Sequence, residues 1–145
     1  MRLLAATDFA LRVLMRLGAD PARRRNTEEL AREVGVPRNH LHKIIQDLAV
    51  AGFVRTQRGA GGGVELAQDA AAITIGAVVR CFEAEQPLVE CFRADGGSCC
   101  LLPDCRLRSV LWQARQAFLA RLDATTLADC LVVPALLDEP RHAFG

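Results

Sequence analysis

Four cysteines, Cys91, Cys99, Cys100 and Cys105, fall within one fifteen-residue stretch. Gly96, Gly97 and Pro103 interrupt it, so the stretch is a loop and not a regular element. Thiols at this density ligate metals. Structural zinc usually takes paired Cys-x2-Cys elements, one on each side of the site, and the spacing C-x7-C-C-x4-C lacks that pairing. Adjacent cysteines seldom serve one metal comfortably, so at most three of the four act together. Soft thiolates outside the zinc pattern point to iron and sulfide. Three thiolates leave a four-iron cluster one ligand short, which suits a sensor better than an electron carrier. A set of adventitious thiols is the plain alternative, and the local density weighs against it. Cys81 and Cys130 stand among apolar neighbours in helical contexts and are expected in the core.

A second set of residues carries a different chemistry. Arg38, Asn39, His42, Lys43 and Gln46 occupy one face of a helix whose other face is Leu41, Ile44, Ile45 and Leu48, with His40 beside them. Amide, imidazole and cationic groups just after a tight turn are the donors that base edges and phosphates require. A solvated polar face would look the same. The next segment tips the balance: Arg55 and Arg58 flank Gly59, Gly61, Gly62 and Gly63, more glycines than closing a turn demands. Glycine lets a backbone approach phosphates, and an arginine at such a tip can enter a minor groove. Arg23, Arg24 and Arg25 are candidates for further phosphate contacts.

These residues need elements to hold them. Phe9, Ala10, Val13, Leu14 and Leu17 recur at helical spacing over 7–17, closed by Gly18. Asn26, with Glu29 three residues on, opens a helix that ends at Gly35. Pro37 suits the first position of a third helix, which runs to about Ala51 before Gly52. Two short strands, 53–57 and 63–67, form a hairpin around 58–62. Helices over 75–84 and 106–122 follow, the latter with Leu107, Leu111, Ala114, Phe118 and Leu122 along one face, then a short piece capped at Thr125 or Thr126. The expected fold is mainly α with a small β-hairpin wing: a winged helix-turn-helix over 1–68, a cluster-binding loop and dimerisation helices over 69–133, and a flexible tail over 134–145.

Composition agrees. The 145 residues are 51% apolar and 24% charged, which excludes a disordered chain. No uncharged apolar run reaches the roughly 18 residues of a membrane span. Arg2, Asp8, Arg12 and Arg16 break any leader-like run, so a cytoplasmic protein with reduced thiols is expected. The net charge of +1 conceals a division: residues 1–66 carry eleven basic and seven acidic side chains, and 67–145 carry seven and ten. A basic, cysteine-free half is joined to an acidic half that holds all six cysteines.

The two features together resemble the Rrf2 family of bacterial winged-helix regulators. The resemblance runs through LLAATDFALRVLMRL (3–17), the stretch 27–67 with its RGAGGG wing, ITIGAVVRCFE (73–83), and CRLRSVLWQARQAFLARLDATTLADCL (105–131). LVECF, PDCRL, AFLARLD and TLAD are similar to the nitric-oxide-sensing branch of that family. The resemblance implies a homodimeric repressor that binds a near-palindromic operator and carries an iron–sulfur cluster, [4Fe-4S] ahead of [2Fe-2S]. Nitric oxide would nitrosylate the cluster and release the operator. By the same resemblance Cys91, Cys99 and Cys105 are the cysteine ligands. Asp8 falls on the family's non-cysteine ligand, contributed by the partner subunit, with Arg12 beside it. The carboxylate could equally be a simple favourable charge at a helix N-terminus.

Two departures stand out. Seven residues separate Cys91 from Cys99, more than the four or five expected, and Cys100 is an extra thiol, near the cluster, that could replace Cys99 or form a disulfide. Iron–sulfur-assembly regulators of the family have a histidine three residues after the last cysteine, where this chain has Arg108. The alternative within the family is a regulator sensing redox state or iron–sulfur status through a [2Fe-2S] cluster. A small iron–sulfur or thiol redox enzyme lacks support, because neither Cys-x-x-Cys nor a nucleotide-binding glycine pattern is present and His40, His42 and His142 offer no triad; a zinc-binding module is the remaining option.

Overall fold

The computed structural model describes residues 2–59, 61–101 and 104–131. Its elements run α1 (Ala5–Gly18), α2 (Thr27–Val34), α3 (Arg38–Val50), β1 (Val54–Gln57), β2 (Gly63–Leu66), α4 (Ile75–Glu83), α5 (Arg106–Asp123) and α6 (Leu127–Cys130). Short 3-10 turns occupy Ala70–Ala72 and Glu90–Phe92. The expected mainly helical fold with a hairpin wing is what forms. The expected tail at 134–145 lies outside the described residues.

Local signals account for the helix-turn-helix. The Asn26 side chain accepts a hydrogen bond from the Glu29 N–H at 2.8 Å, satisfying one of the open donors of the first turn of α2. Gly35 ends α2 in the left-handed region, at φ 69°. Pro37 precedes α3 as its N-cap instead of occupying its first turn. This is consistent with proline's fixed φ and lack of a donor. Leu41, Ile44, Ile45 and Leu48 are buried as their spacing requires, packed with Val13, Leu14 and Leu17 of α1 and with Leu30 and Val34 of α2.

The hairpin pairs Val54 with Leu66, Arg55 with Glu65, Thr56 with Val64 and Gln57 with Gly63. A further backbone bridge joins Arg25 to Val64, so the segment before α2 lies against the open edge of β2. Helix α4 packs on α1 and α5. Backbone hydrogen bonds tie its start to the chain before α6, from Ile75 N–H to the Thr125 carbonyl and from Leu127 N–H to the Ile73 carbonyl. A capping box at Thr126 and Asp129 starts α6. One apolar core extends from Ala10 to Leu127.

Two expectations about burial are corrected. Cys81 is exposed. The inward stripe of α4 is Ile75, Val78 and Val79, with Phe82 beside it, and Cys81 falls to one side of it. Cys130 is half-buried against the core. In α5 only Leu119 is buried, while Leu107, Val110 and Trp112 are all more than half exposed. Leu107 and Val110, three residues apart, therefore leave an apolar face open, while Trp112 lies on the other side of the helix. No described helix is long and apolar enough to cross a membrane.

Candidate nucleic-acid interface and cysteine loop

The polar face of α3 forms as its spacing predicts. Arg38, Asn39, His40, His42, Lys43 and Gln46 are all exposed, on a helix whose opposite face is fixed in the core. Lys43 donates to Asp47 one turn on, at 2.7 Å, and stays largely solvent-accessible. A helix so anchored can present several donors at once without first ordering them.

The wing is more tightly built than its composition implies. Arg58, Gly59 and Gly61 are exposed around its tip. A Cβ at Gly62 would run into the carbonyl oxygens of Gln57 and Gly59, and one at Gly63 would lie 2.8 Å from the Arg25 carbonyl oxygen. Gly62 is required by the turn and Gly63 by the Arg25 backbone, and Gly59 and Gly61 hold φ of 94° and 78°. Local structure thus accounts for all four, which corrects the expectation that the tip holds more glycines than it needs.

The basic residues near the wing have distinct fates. Glu65 on β2 sits between two of them: Arg55, across the strands, donates to it at 2.5 Å, and Arg24 donates through Nε at 2.6 Å. Arg24 also bonds Gln57. The hydrogen bond from Arg24, and then that from Arg55, hold the Glu65 carboxyl down at about 2. Arg23 pairs with Glu29. Arg25 has no exposed side chain at all, so it cannot serve as a phosphate contact. The sequence contains no sign distinguishing it from its two neighbours, because the distinction comes from β2, about forty residues away in the chain.

The cysteines lie at the other end of α4. Cys91 is buried, Cys99 and Cys105 are half-buried and Cys100 is exposed; all four are free thiols. Cys91 lines a cleft of about 940 Å³ with Phe92, Arg108, Trp112 and Arg115. Cys105 lines an adjoining cleft of about 420 Å³ with Phe92, Arg108, Ser109 and Trp112. Phe92, Arg108 and Trp112 wall both, so Cys91 and Cys105 border two neighbouring clefts between the loop and the start of α5. Among the described residues no three His, Cys, Asp or Glu side chains come close enough together to hold a metal ion.

Asp8 is exposed on the first turn of α1, and its carboxylate accepts from Arg12 at 2.6 Å. Arg12 also lies over the Phe9 ring, 5.8 Å from its centroid. One contact absent from the sequence reading secures this turn from the cysteine side. Glu83, the last residue of α4, accepts from the Leu4 N–H at 2.8 Å and from the buried Thr7 hydroxyl.

The comparisons with known proteins agree with this layout. The Rrf2 family profile, described as an iron-dependent transcriptional regulator, matches residues 3–132. The HTH-type transcriptional regulator NsrR of Geobacillus kaustophilus is 48% identical over 132 residues, covering 90% of each chain. Its namesake from Bacillus subtilis is 43% identical over 130 residues, covering 89% of each. Among solved structures, T. potens IscR superimposes with a TM-score of 0.74 at 21% identity, covering 97% of this chain and 94% of that one. CymR (YrzC), the global cysteine regulator of B. subtilis, superimposes with a TM-score of 0.72 at 24% identity, covering 90% and 95%. At those identities the structures establish a shared fold. The family match at 3–132 takes in the helix-turn-helix, the wing and the cysteine loop, and with these relatives it shows that the chain belongs to the Rrf2 family of transcriptional regulators and is NsrR-like.

Proposed function

We propose that this DNA-binding regulator is a homodimeric repressor that responds to nitric oxide through an iron–sulfur cluster, of the four-iron type, and leaves its operator when the cluster is attacked. The observation that carries the reading is the cysteine loop: Cys91 and Cys105 line neighbouring clefts beside α5, with Cys99 half-buried in the same loop. The donor set fits such a group, since free, partly shielded thiols are the usual ligands of iron and sulfide.

In this reading Cys91, Cys99 and Cys105 hold the cluster, and Asp8 of the partner subunit completes it. The cluster supplies iron sites that react with nitric oxide. A carboxylate is a harder and more exchangeable donor than a thiolate, so Asp8 is the ligand that gives way. Arg12, bonded to Asp8 here, would steady the carboxylate beside the cluster. Helix α1 packs against both α2 and α3, so a change at Asp8 reaches the DNA-reading helix through one rigid element. Each subunit would set Arg38, Asn39, His40, His42, Lys43 and Gln46 in a major groove, with Arg55, Arg58, Gly59 and Gly62 along the adjoining backbone. The open apolar face of α5, with Leu107 and Val110, supports a second copy as its cover.

The test is anaerobic purification with iron and sulfide analysis. Brown protein with broad visible absorption that nitric oxide alters is the expected result. Colourless protein carrying zinc under those conditions overturns the cluster. Operator binding that weakens steeply with salt separates a regulator from a redox enzyme or a zinc module.

A further inference from the structure

Arg25 is the largest side chain in the described structure with no solvent exposure. A buried guanidinium is costly unless every donor is met and its charge is balanced. Here Nε donates to Glu33 at 2.9 Å, Nη2 to the Asp20 carboxylate at 3.3 Å, and Nη1 to the carbonyls of Asp20 and Arg23 at 3.4 and 3.2 Å. Glu33 is shared with Arg16 of α1, which donates to it at 2.5 Å. The hydrogen bond from Arg16, and behind it that from Arg25, hold the Glu33 carboxyl below its ordinary value. Among the described residues no buried side-chain nitrogen or oxygen lacks a partner.

The backbone of the same residue grips the wing. Arg25 N–H donates to the Val64 carbonyl at 3.2 Å, and Val64 N–H donates to the Arg25 carbonyl at 2.8 Å. Val64 is buried on β2, directly after the glycine that admits the Arg25 backbone. One residue thus joins the end of α1, the last turn of α2 and the tip-side half of β2 in the wing. The wing meets α3 directly through β1, and Arg25 adds a second tie, from β2 to α1 and α2, on which α3 packs. Only arginine has enough donors, in a planar fork, to reach two carboxylates and two carbonyls together.

We infer that Arg25 is a positioning residue for DNA recognition: it fixes the wing relative to α3 so that both engage one operator at the same time. The inference rests on the reading of the wing as a DNA contact. Arg25 itself touches no DNA, and its effect passes through Arg58 at the wing tip.

A double-mutant cycle tests this on full-length, anaerobically purified protein. The probe is a duplex selected in vitro against the unmodified protein. Arg58→Ala is expected to weaken binding and flatten its salt dependence. Arg25→Lys keeps the charge but loses the fork, and is expected to weaken binding on the order of tenfold, the scale of one lost contact. In the Arg58→Ala background, Arg25→Lys should change affinity less than twofold, with the circular dichroism spectrum unchanged throughout. Simple additivity of the two losses overturns the inference and leaves the wing reading standing, as does full affinity in Arg25→Lys beside a weakened Arg58→Ala. An Arg58→Ala protein that binds as the unmodified one does overturns the wing reading, and the inference with it. If Arg25→Lys does not fold, Asp20→Asn takes its place in the same cycle, because that carboxylate is the more exposed of the two partners.

Discussion

The Asp8 carboxylate and the Arg12 guanidinium, one turn apart on α1, are joined at 2.6 Å on an exposed face of the helix. An exposed pair of this kind adds little to stability. Its expected worth is in holding the carboxylate ready as a ligand for a cluster on another subunit. Asp8→Ala should therefore keep its melting temperature within a degree or two (about 0.5 kcal/mol or less) but lose much of its nitric-oxide-dependent release from DNA. A mobility-shift titration with a nitric oxide donor reads this directly, and an unchanged response places the fourth ligand elsewhere.

Substitution of the cysteines separates ligands from bystanders. Serine at Cys91, Cys99 or Cys105 should each lower iron and sulfide per chain after anaerobic purification. Serine at the exposed Cys81 should leave both unchanged. The informative variant is Cys100→Ser: retention of iron assigns the ligand role to Cys99, and its loss assigns that role to Cys100.

The wing carries an acid-sensitive contribution to stability. Glu65 titrates at about 2 in the folded chain, against an ordinary value of 4.5, because Arg24 and Arg55 both bond its carboxylate. A depressed carboxyl stabilises the fold fully above its unfolded value and loses that contribution as pH falls from about 4.5 toward 2. Urea midpoints measured across this range should fall for the unmodified chain and fall less steeply for Glu65→Gln. Equal slopes would show that the two arginines gain nothing from Glu65 in solution.

The cap on α2 gives a purely structural control. Asn26→Ala removes the acceptor of the Glu29 N–H and should cost about 1 kcal/mol by denaturant titration. Asn26→Gly should cost only a few tenths of that amount. A loss of only a few tenths of a kcal/mol in Asn26→Ala would mean that the hydrogen bond is not what stabilises the start of α2.

Association should depend on the exposed start of α5. Val110→Glu or Leu107→Glu places a charge in the open apolar face without touching the buried Leu119. Sedimentation is expected to shift toward the monomer in both, with the helical content retained. Dimers of undiminished stability would move the interface to another surface.

The helix-turn-helix was legible in the chain because its signals are local. Asn26 caps α2, Gly35 closes it, and the spacing of Leu41, Ile44, Ile45 and Leu48 sets which face of α3 turns inward, so the exposed donors follow. The hairpin was legible for the same reason, from two short runs and the glycines between them. Helical periodicity reports which side of an element is apolar, but not how much of that side finds a partner. Hence the burial expected for Cys81 failed, and the apolar face of α5 proved half open. The three arginines at 23–25 are identical in the sequence. Tertiary structure alone separates them, because Asp20, Glu33 and Val64 converge on Arg25 from three elements while Arg23 and Arg24 remain at the surface. Residue type dictated that an arginine could bind phosphate or carboxylate; only the arrival of carboxylates and a strand edge from elsewhere in the chain decided which.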